Sequence, residues 1–238
     1  MSDGLQAIVF DFDGVIANSE PLHLLAFQMA LRDDGIDLSA HDYYHRYLGY
    51  DDVGMFQLLG RDRGLPMDDA RVAELVERKG VRMQSLLHSG SVLFPGAKEF
   101  ILQAAARVPI AIASGALRHE IDEIIQTAGI ARLFAAIVAS GDTPESKPSA
   151  APYALAFERL NAKAGGTLDR RRCVAIEDSR WGLESARGAG LRCVAVTTSY
   201  PASELRGTAE LVVESLGTLT LDRLDALCGT EPAGARVP

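Results

Sequence analysis

The sequence predicts an α/β protein, a parallel sheet with crossover helices that is interrupted early by a helical insert. Three observations carry this. Short apolar runs recur along the 238 residues, each too brief for a helix, and helix-like segments fill most of the intervals between them. The interval between the first and second runs is far too long for one crossover helix. The runs also stop abruptly at polar residues, as buried parallel strands do where they reach the carboxyl edge of a sheet.

The strand candidates are residues 7–10, 110–113, 136–138, 173–176, 193–196 and 211–213. Helical spacing of apolar residues marks 100–106, 120–128, 153–160 and 183–189, with Gly129 and Gly190 where C-terminal caps belong. The long first interval holds helical patterns over 22–32, 42–48, 53–59 and 70–87, broken at Gly35, Gly49, Gly60 and Pro66. A separate helical module explains it. The division is therefore a discontinuous core, 1–17 with 90–228, a helical insert, 18–89, and a flexible tail, 229–238, with hinges near 17–19 and 89–95.

Composition narrows the function class. At 47% hydrophobic residues the chain has material for one large core and a smaller insert, and a net charge of -8 argues against nucleic acid as its partner. No apolar run approaches the ~20 residues of a membrane span, and the N-terminus lacks a secretory pattern, so a cytoplasmic protein, monomeric or a small homo-oligomer, is expected. Cys173, Cys193 and Cys228 show no metal-ligand spacing and read as small buried hydrophobes in a reducing compartment.

Chemistry concentrates at the strand ends. Asp11 and Asp13 close the first apolar run and are followed by Gly14. Like charges so close are tolerated where a cation sits among them, which makes the pair a candidate metal site and Asp11 a candidate nucleophile. The second strand ends in Ser114-Gly115 before a helix, suited either to capping or to an anionic phosphate oxygen. Lys147, beside Pro148, belongs to a turn rather than a helix interior, and taken singly it also reads as a solvated loop lysine. Glu177-Asp178-Ser179 closes the fourth strand, where Asp178 suits either a metal or a helix N-terminus.

Taken in order, Asp11-Phe12-Asp13-Gly14-Val15, Ser114-Gly115, Lys147-Pro148 and Glu177-Asp178-Ser179 resemble the four motifs of the haloacid dehalogenase superfamily. The resemblance runs from about residue 5 to about residue 216 and is nearest to its phosphatase and β-phosphoglucomutase group, which carries a helical cap after the first motif. It implies a Rossmann-like core and an Mg²⁺-dependent phosphatase acting on a small phosphorylated metabolite, of sugar phosphate or phosphoglycolate type, through an aspartyl phosphate. It implies Asp11 as nucleophile, Asp13 as general acid and base, Ser114, Gly115 and Lys147 as phosphoryl contacts, and Asp178 as metal ligand helped by Glu177. The metal is also held by Asp11 and the backbone carbonyl of Asp13.

The division of labour is sound chemistry. A carboxylate attacks a dianionic phosphate only when charge on both is offset, which a divalent cation and an ammonium supply. An acid at Asp13 distinguishes a phosphatase from a carbon–halogen dehalogenase, because a halide leaves without a proton. A mutase-like isomerase shares the same core and is the alternative; a noncatalytic binding or regulatory protein would require a damaged motif, and all four are intact.

The insert would choose the substrate. His23 stands where the mutases carry a histidine that helps control the acid/base aspartate, and also reads as a polar residue at a helix start. Where the mutases carry a basic residue after a cap glycine, this chain has Gly49-Tyr50-Asp51-Asp52-Val53, an acidic pair that would repel a second phosphate unless cations intervened. Arg46 and Arg118 are candidate anion contacts or solvated arginines, and Tyr43, Tyr44, Tyr47 and Tyr50 divide between packing and lining the entrance. Trp181 is expected either to wall the site or to pack against the insert.

Overall fold

The computed structural model describes residues 4–47, 50, 52–87 and 92–229. The predicted tail beyond residue 229, Gly49, Asp51 and much of the second predicted hinge lie outside the described residues. The chain divides into two compact units, Met1–Asn18 with Val92–Pro238, and Ser19–Ser91. In chain order the elements are β1 (Ala7–Phe10), α1 (Glu20–Arg32), α2 (Ala40–Asp42), α3 (Asp52–Arg63), α4 (Asp69–Leu87), α5 (Ala97–Ala105), β2 (Ile110–Ala113), α6 (Arg118–Thr127) and β3 (Phe134–Val138). They continue with α7 (Ala151–Lys163), β4 (Cys173–Glu177), α8 (Arg180–Gly188), β5 (Arg192–Val196), α9 (Ala202–Leu205), β6 (Leu211–Val213) and α10 (Leu221–Cys228).

The six strands form one parallel sheet in the order β3-β2-β1-β4-β5-β6, a Rossmann-like arrangement. Every residue of β1, β2, β4 and β5 is buried, whereas the edge strands β3 and β6 are partly accessible, which is why the inner strands read as unbroken apolar runs. One sheet face is made of small side chains, Ala7, Val9, Ala111, Ala175 and Ala195, and large residues of α7 and α8, among them Tyr153, Phe157, Leu160 and Leu183, pack in the same cluster. Phe10, of opposite parity in β1, meets Phe100 and Phe134 edge to face, with centroids 6.2 and 6.4 Å away. Strand order reverses between β1 and β4. Ligands bind at such a switch point, outside the carboxyl ends of the strands.

The inserted unit is helical. Phe27, Leu31, Tyr43, Tyr47, Met55, Phe56, Leu59, Val72 and Leu75 form its core, with the Phe27 and Phe56 rings 5.2 Å apart. Two sequence expectations change here. Gly60 does not end the third helix: α3 runs through it to Arg63, and Met67 packs where a Cβ would project, 2.3 Å from its Cγ. The predicted helix 42–48 is instead a short α-turn followed by a π-helical turn, Tyr43–Tyr47, with Tyr43 and Tyr47 turned into the core and Tyr44 exposed. All three cysteines are free and buried, and no described helix is long and apolar enough to cross a membrane.

Candidate active site

Register brings the site together. Phe10 pairs with Ile112 on one side and Ile176 on the other, so Asp11 emerges level with the ends of β2 and β4, and its amide donates to the Ile176 carbonyl at 2.9 Å. The chain then folds tightly back, with the Phe12 carbonyl accepting from the amides of Val15, Ile16 and Ala17. Gly14 has φ +77°, and a Cβ there would lie 1.9 Å from Asp178 Oδ2. Only glycine permits both the left-handed turn and that carboxylate's approach. Asp13, half-buried, lies in this turn.

Lys147 binds two carboxylates at once. Its Nζ is 2.7 Å from Asp11 Oδ1 and 2.6 Å from Glu177 Oε1, and stands 5.1 Å from the centre of the Tyr153 ring, whose hydroxyl donates to the same Glu177 oxygen at 3.1 Å. The other Glu177 oxygen accepts from the amides of Asp178 and Ser179 and from the Ser179 hydroxyl, at 3.0, 3.1 and 3.0 Å. Glu177 is thus saturated with donors at the N-terminus of α8. Gly182, in the first turn of that helix, makes room for it: a Cβ would sit 1.7 Å from Glu177 Oε1.

Asp11, Glu177 and Asp178, all buried, each place one carboxylate oxygen within 4.8 Å of the others. Burial and the neighbouring Glu177 charge raise the Asp11 carboxyl well above its usual range, against the pull of Lys147. Burial and Glu177 likewise push Asp178 up to about 7. Burial opposes charge on Glu177 too, but the Lys147 ammonium and the Ser179 donors prevail and hold it low. Lys147 is raised: burial works against its charge, and Asp11 and Glu177 more than compensate. Three acids and one ammonium in so small a volume suit a hard cation with oxygen ligands.

Ser114 is buried at the end of β2, its Oγ accepting from the Ala116 amide at 3.0 Å, while Gly115 is exposed beside it. Arg118 is exposed and paired along its helix with Asp122 at 3.0 Å. In the inserted unit, Arg46 pairs with Asp62 at 2.7 Å, and Tyr50 is exposed. Trp181 is 57% exposed.

His23 has a partner that the sequence did not suggest. Lys79, only 1% exposed, donates to His23 Nδ1 at 3.0 Å and to Asp52 Oδ1 at 2.9 Å, so the neutral imidazole carries its proton on Nε2. Burial, and then the Lys79 charge, lower His23 to about 3. Of the acidic pair after Gly49, expected to repel a second phosphate unless cations intervened, Asp52 is paired with the Lys79 cation, and Asp51 lies outside the described residues. The signal was present, since Val72, Leu75, Lys79, Met83 and Leu87 form the buried stripe of α4 and a lysine stands in it. Ser199 and Thr198, beyond β5, were also missed; their hydroxyls donate to Asp178 Oδ2 and to the Gly14 carbonyl.

The sheet order and the polar strand ends at its switch point define a class, and the chain belongs to it: the haloacid dehalogenase-like hydrolases, whose family model matches residues 5–190. Among its relatives, protein CbbY of Rhodobacter capsulatus is 35% identical over 208 residues, 82% of this chain and 87% of that protein. The phosphoglycolate phosphatase of Pectobacterium atrosepticum is 27% identical over 82% of each chain. The crystal structure of a CbbY mutant from Rhodobacter sphaeroides in complex with xylulose-(1,5)bisphosphate superposes with a TM-score of 0.77 at 27% identity, covering 93% of this chain and 99% of that one.

Proposed function

We propose that the protein is an Mg²⁺-dependent phosphatase that hydrolyses a small phosphomonoester through a phosphoryl group carried on Asp11. The observation that carries this is the Lys147 ammonium held between Asp11 and Glu177 beside Asp178, an acidic cluster built around one fixed cation. Asp11 and Asp178, with the Asp13 carbonyl, are the groups we assign to the metal; both Glu177 oxygens are already occupied by donors. Bound there, Mg²⁺ would neutralise phosphoryl charge and align it with the nucleophile.

The remaining chemistry belongs to the chain. An Asp11 oxygen forms a bond to phosphorus as the ester P–O bond breaks, and Asp13 donates its proton to the leaving oxygen. Asp13, now ionised, takes a proton from water as that water attacks phosphorus, and the Asp11–phosphorus bond breaks to release inorganic phosphate. Lys147, the Ser114 hydroxyl and the amides after it offset and orient the phosphoryl oxygens. Substrate binding draws Lys147 from an acid-acid bridge into contact with phosphate at little cost in reorganisation, because Glu177 and Tyr153 keep it in place.

The likeness to CbbY and to a phosphoglycolate phosphatase supports a phosphorylated sugar or 2-phosphoglycolate as substrate. The test is phosphate release across a phosphometabolite panel headed by xylulose 1,5-bisphosphate and phosphoglycolate, with and without EDTA, including β-glucose 1-phosphate with a trace of its bisphosphate. Mg²⁺-dependent release from one of these is expected. Glucose 6-phosphate formed faster than free phosphate would replace hydrolysis with isomerisation.

A further inference from the structure

Three loops meet at Gly14. The turn after β1 supplies Gly14 itself, the end of β4 supplies Asp178, and the segment after β5 supplies Thr198 and Ser199. A Cβ on Gly14 would stand 1.9 Å from Asp178 Oδ2 and 3.0 Å from Ser199 Oγ, so all three segments are in van der Waals contact. The two hydroxyls bond in different directions: Ser199 Oγ donates to Asp178 Oδ2, and Thr198 Oγ1 donates to the Gly14 carbonyl. The segment that carries them is fixed to the sheet, since the Thr197 amide donates to the Val213 carbonyl of β6 at 3.0 Å.

We propose that Ser199 and Thr198 are positioning residues of the metal site, Ser199 by turning the Asp178 carboxylate and Thr198 by anchoring the loop that carries Asp11 and Asp13. A carboxylate held only by its own torsions samples rotations that scatter its oxygens, whereas a donor on one oxygen leaves the other aimed at the cation. The Asp178 backbone is already held by the hydrogen bond its N–H donates to Glu177 Oε2, and the Ser199 hydroxyl restrains the remaining side-chain rotation. Thr198 does the same for the peptide next to Asp13, whose carbonyl we assign to the metal. Neither hydroxyl needs to touch substrate. This rests on the assignment of Asp178 as a metal ligand made above.

Titration calorimetry with Mg²⁺ alone, on the whole resting protein, tests it without turnover. Ser199→Ala is expected to weaken Mg²⁺ at least about tenfold, as loss of partners behind metal ligands does. Thr198→Val should weaken it in the same direction. Ser199→Thr keeps the hydroxyl and should restore binding to within about threefold of wild type. Excess Mg²⁺ should return most of the lost turnover in Ser199→Ala. An unchanged Mg²⁺ affinity in Ser199→Ala, or a lowered urea midpoint in EDTA with Mg²⁺ affinity intact, overturns the proposal. Failure of the wild type to bind Mg²⁺, or full binding by Asp178→Asn, would instead remove the metal assignment beneath it.

Discussion

His23 makes the inserted unit pH-sensitive by an amount the structure allows one to work out. The imidazole is half-buried, accepts a hydrogen bond from the Lys79 ammonium, and lies in a cluster where Lys79 is in turn paired with Asp52; protonation would set two cations 3.0 Å apart. Its folded value of about 3 stands against 6.5 for the free side chain, so between those limits the unfolded chain binds the extra proton. The contribution to stability is therefore complete above pH 6.5 and is lost as pH falls toward 3, at about 1.4 kcal/mol per unit. From pH 7 to pH 5 the loss is ~2 kcal/mol, on top of whatever the carboxylates contribute. Urea unfolding of wild type and His23→Gln at both pH values isolates it, because glutamine does not titrate yet still offers Lys79 an acceptor. The wild type should lose about 2 kcal/mol more than the variant over the interval. NMR of the imidazole should show a neutral ring at pH 5. Parallel losses in the two proteins, or a His23 resonance titrating near 6.5, would refute the reasoning.

Asp13→Asn should lower turnover by about 100- to 10,000-fold while leaving far-ultraviolet circular dichroism unchanged, because it removes proton transfer and no packing. Lys147→Met leaves Asp11 and Glu177 facing each other without their shared cation, and should cost about 3 kcal/mol in urea unfolding in addition to activity; wild-type stability would contradict the network as drawn. Gly182→Ala puts a Cβ 1.7 Å from Glu177 Oε1, so the carboxylate must leave its cradle of amides and Lys147 with it. Helical content should survive this change and phosphatase activity should fall at least about tenfold, with stability reduced by about 1 to 3 kcal/mol.

The core was legible because its inner strands are buried on both faces, which writes each of them as an apolar run with no helical period. The same property exposed the site: where β1, β2 and β4 end, Asp11, Ser114 and Glu177-Asp178 interrupt the run. Applied once more to β5, that rule finds Thr197-Thr198-Ser199, which end the apolar run at Val196 in the same way. The inserted unit was less legible for a physical reason. Its polar cluster joins His23 of α1, Asp52 of α3 and Lys79 of α4, brought together by helix packing that no local pattern encodes. Gly60 and the π-turn are of the same kind, since packing decides them: Met67 fills the space beside Gly60, and Tyr43 and Tyr47 of the turn itself reach into the core of the unit.

The central claim is that phosphate passes through Asp11. Acid quench of the enzyme during turnover of its best Mg²⁺-dependent substrate, followed by peptic digestion and mass spectrometry, reads this directly. A phosphoryl increment on the peptide bearing Asp11, absent from Asp11→Asn together with all phosphate release, is the predicted result. Undiminished phosphate release by Asp11→Asn, or the increment on a peptide from elsewhere in the chain, would contradict it.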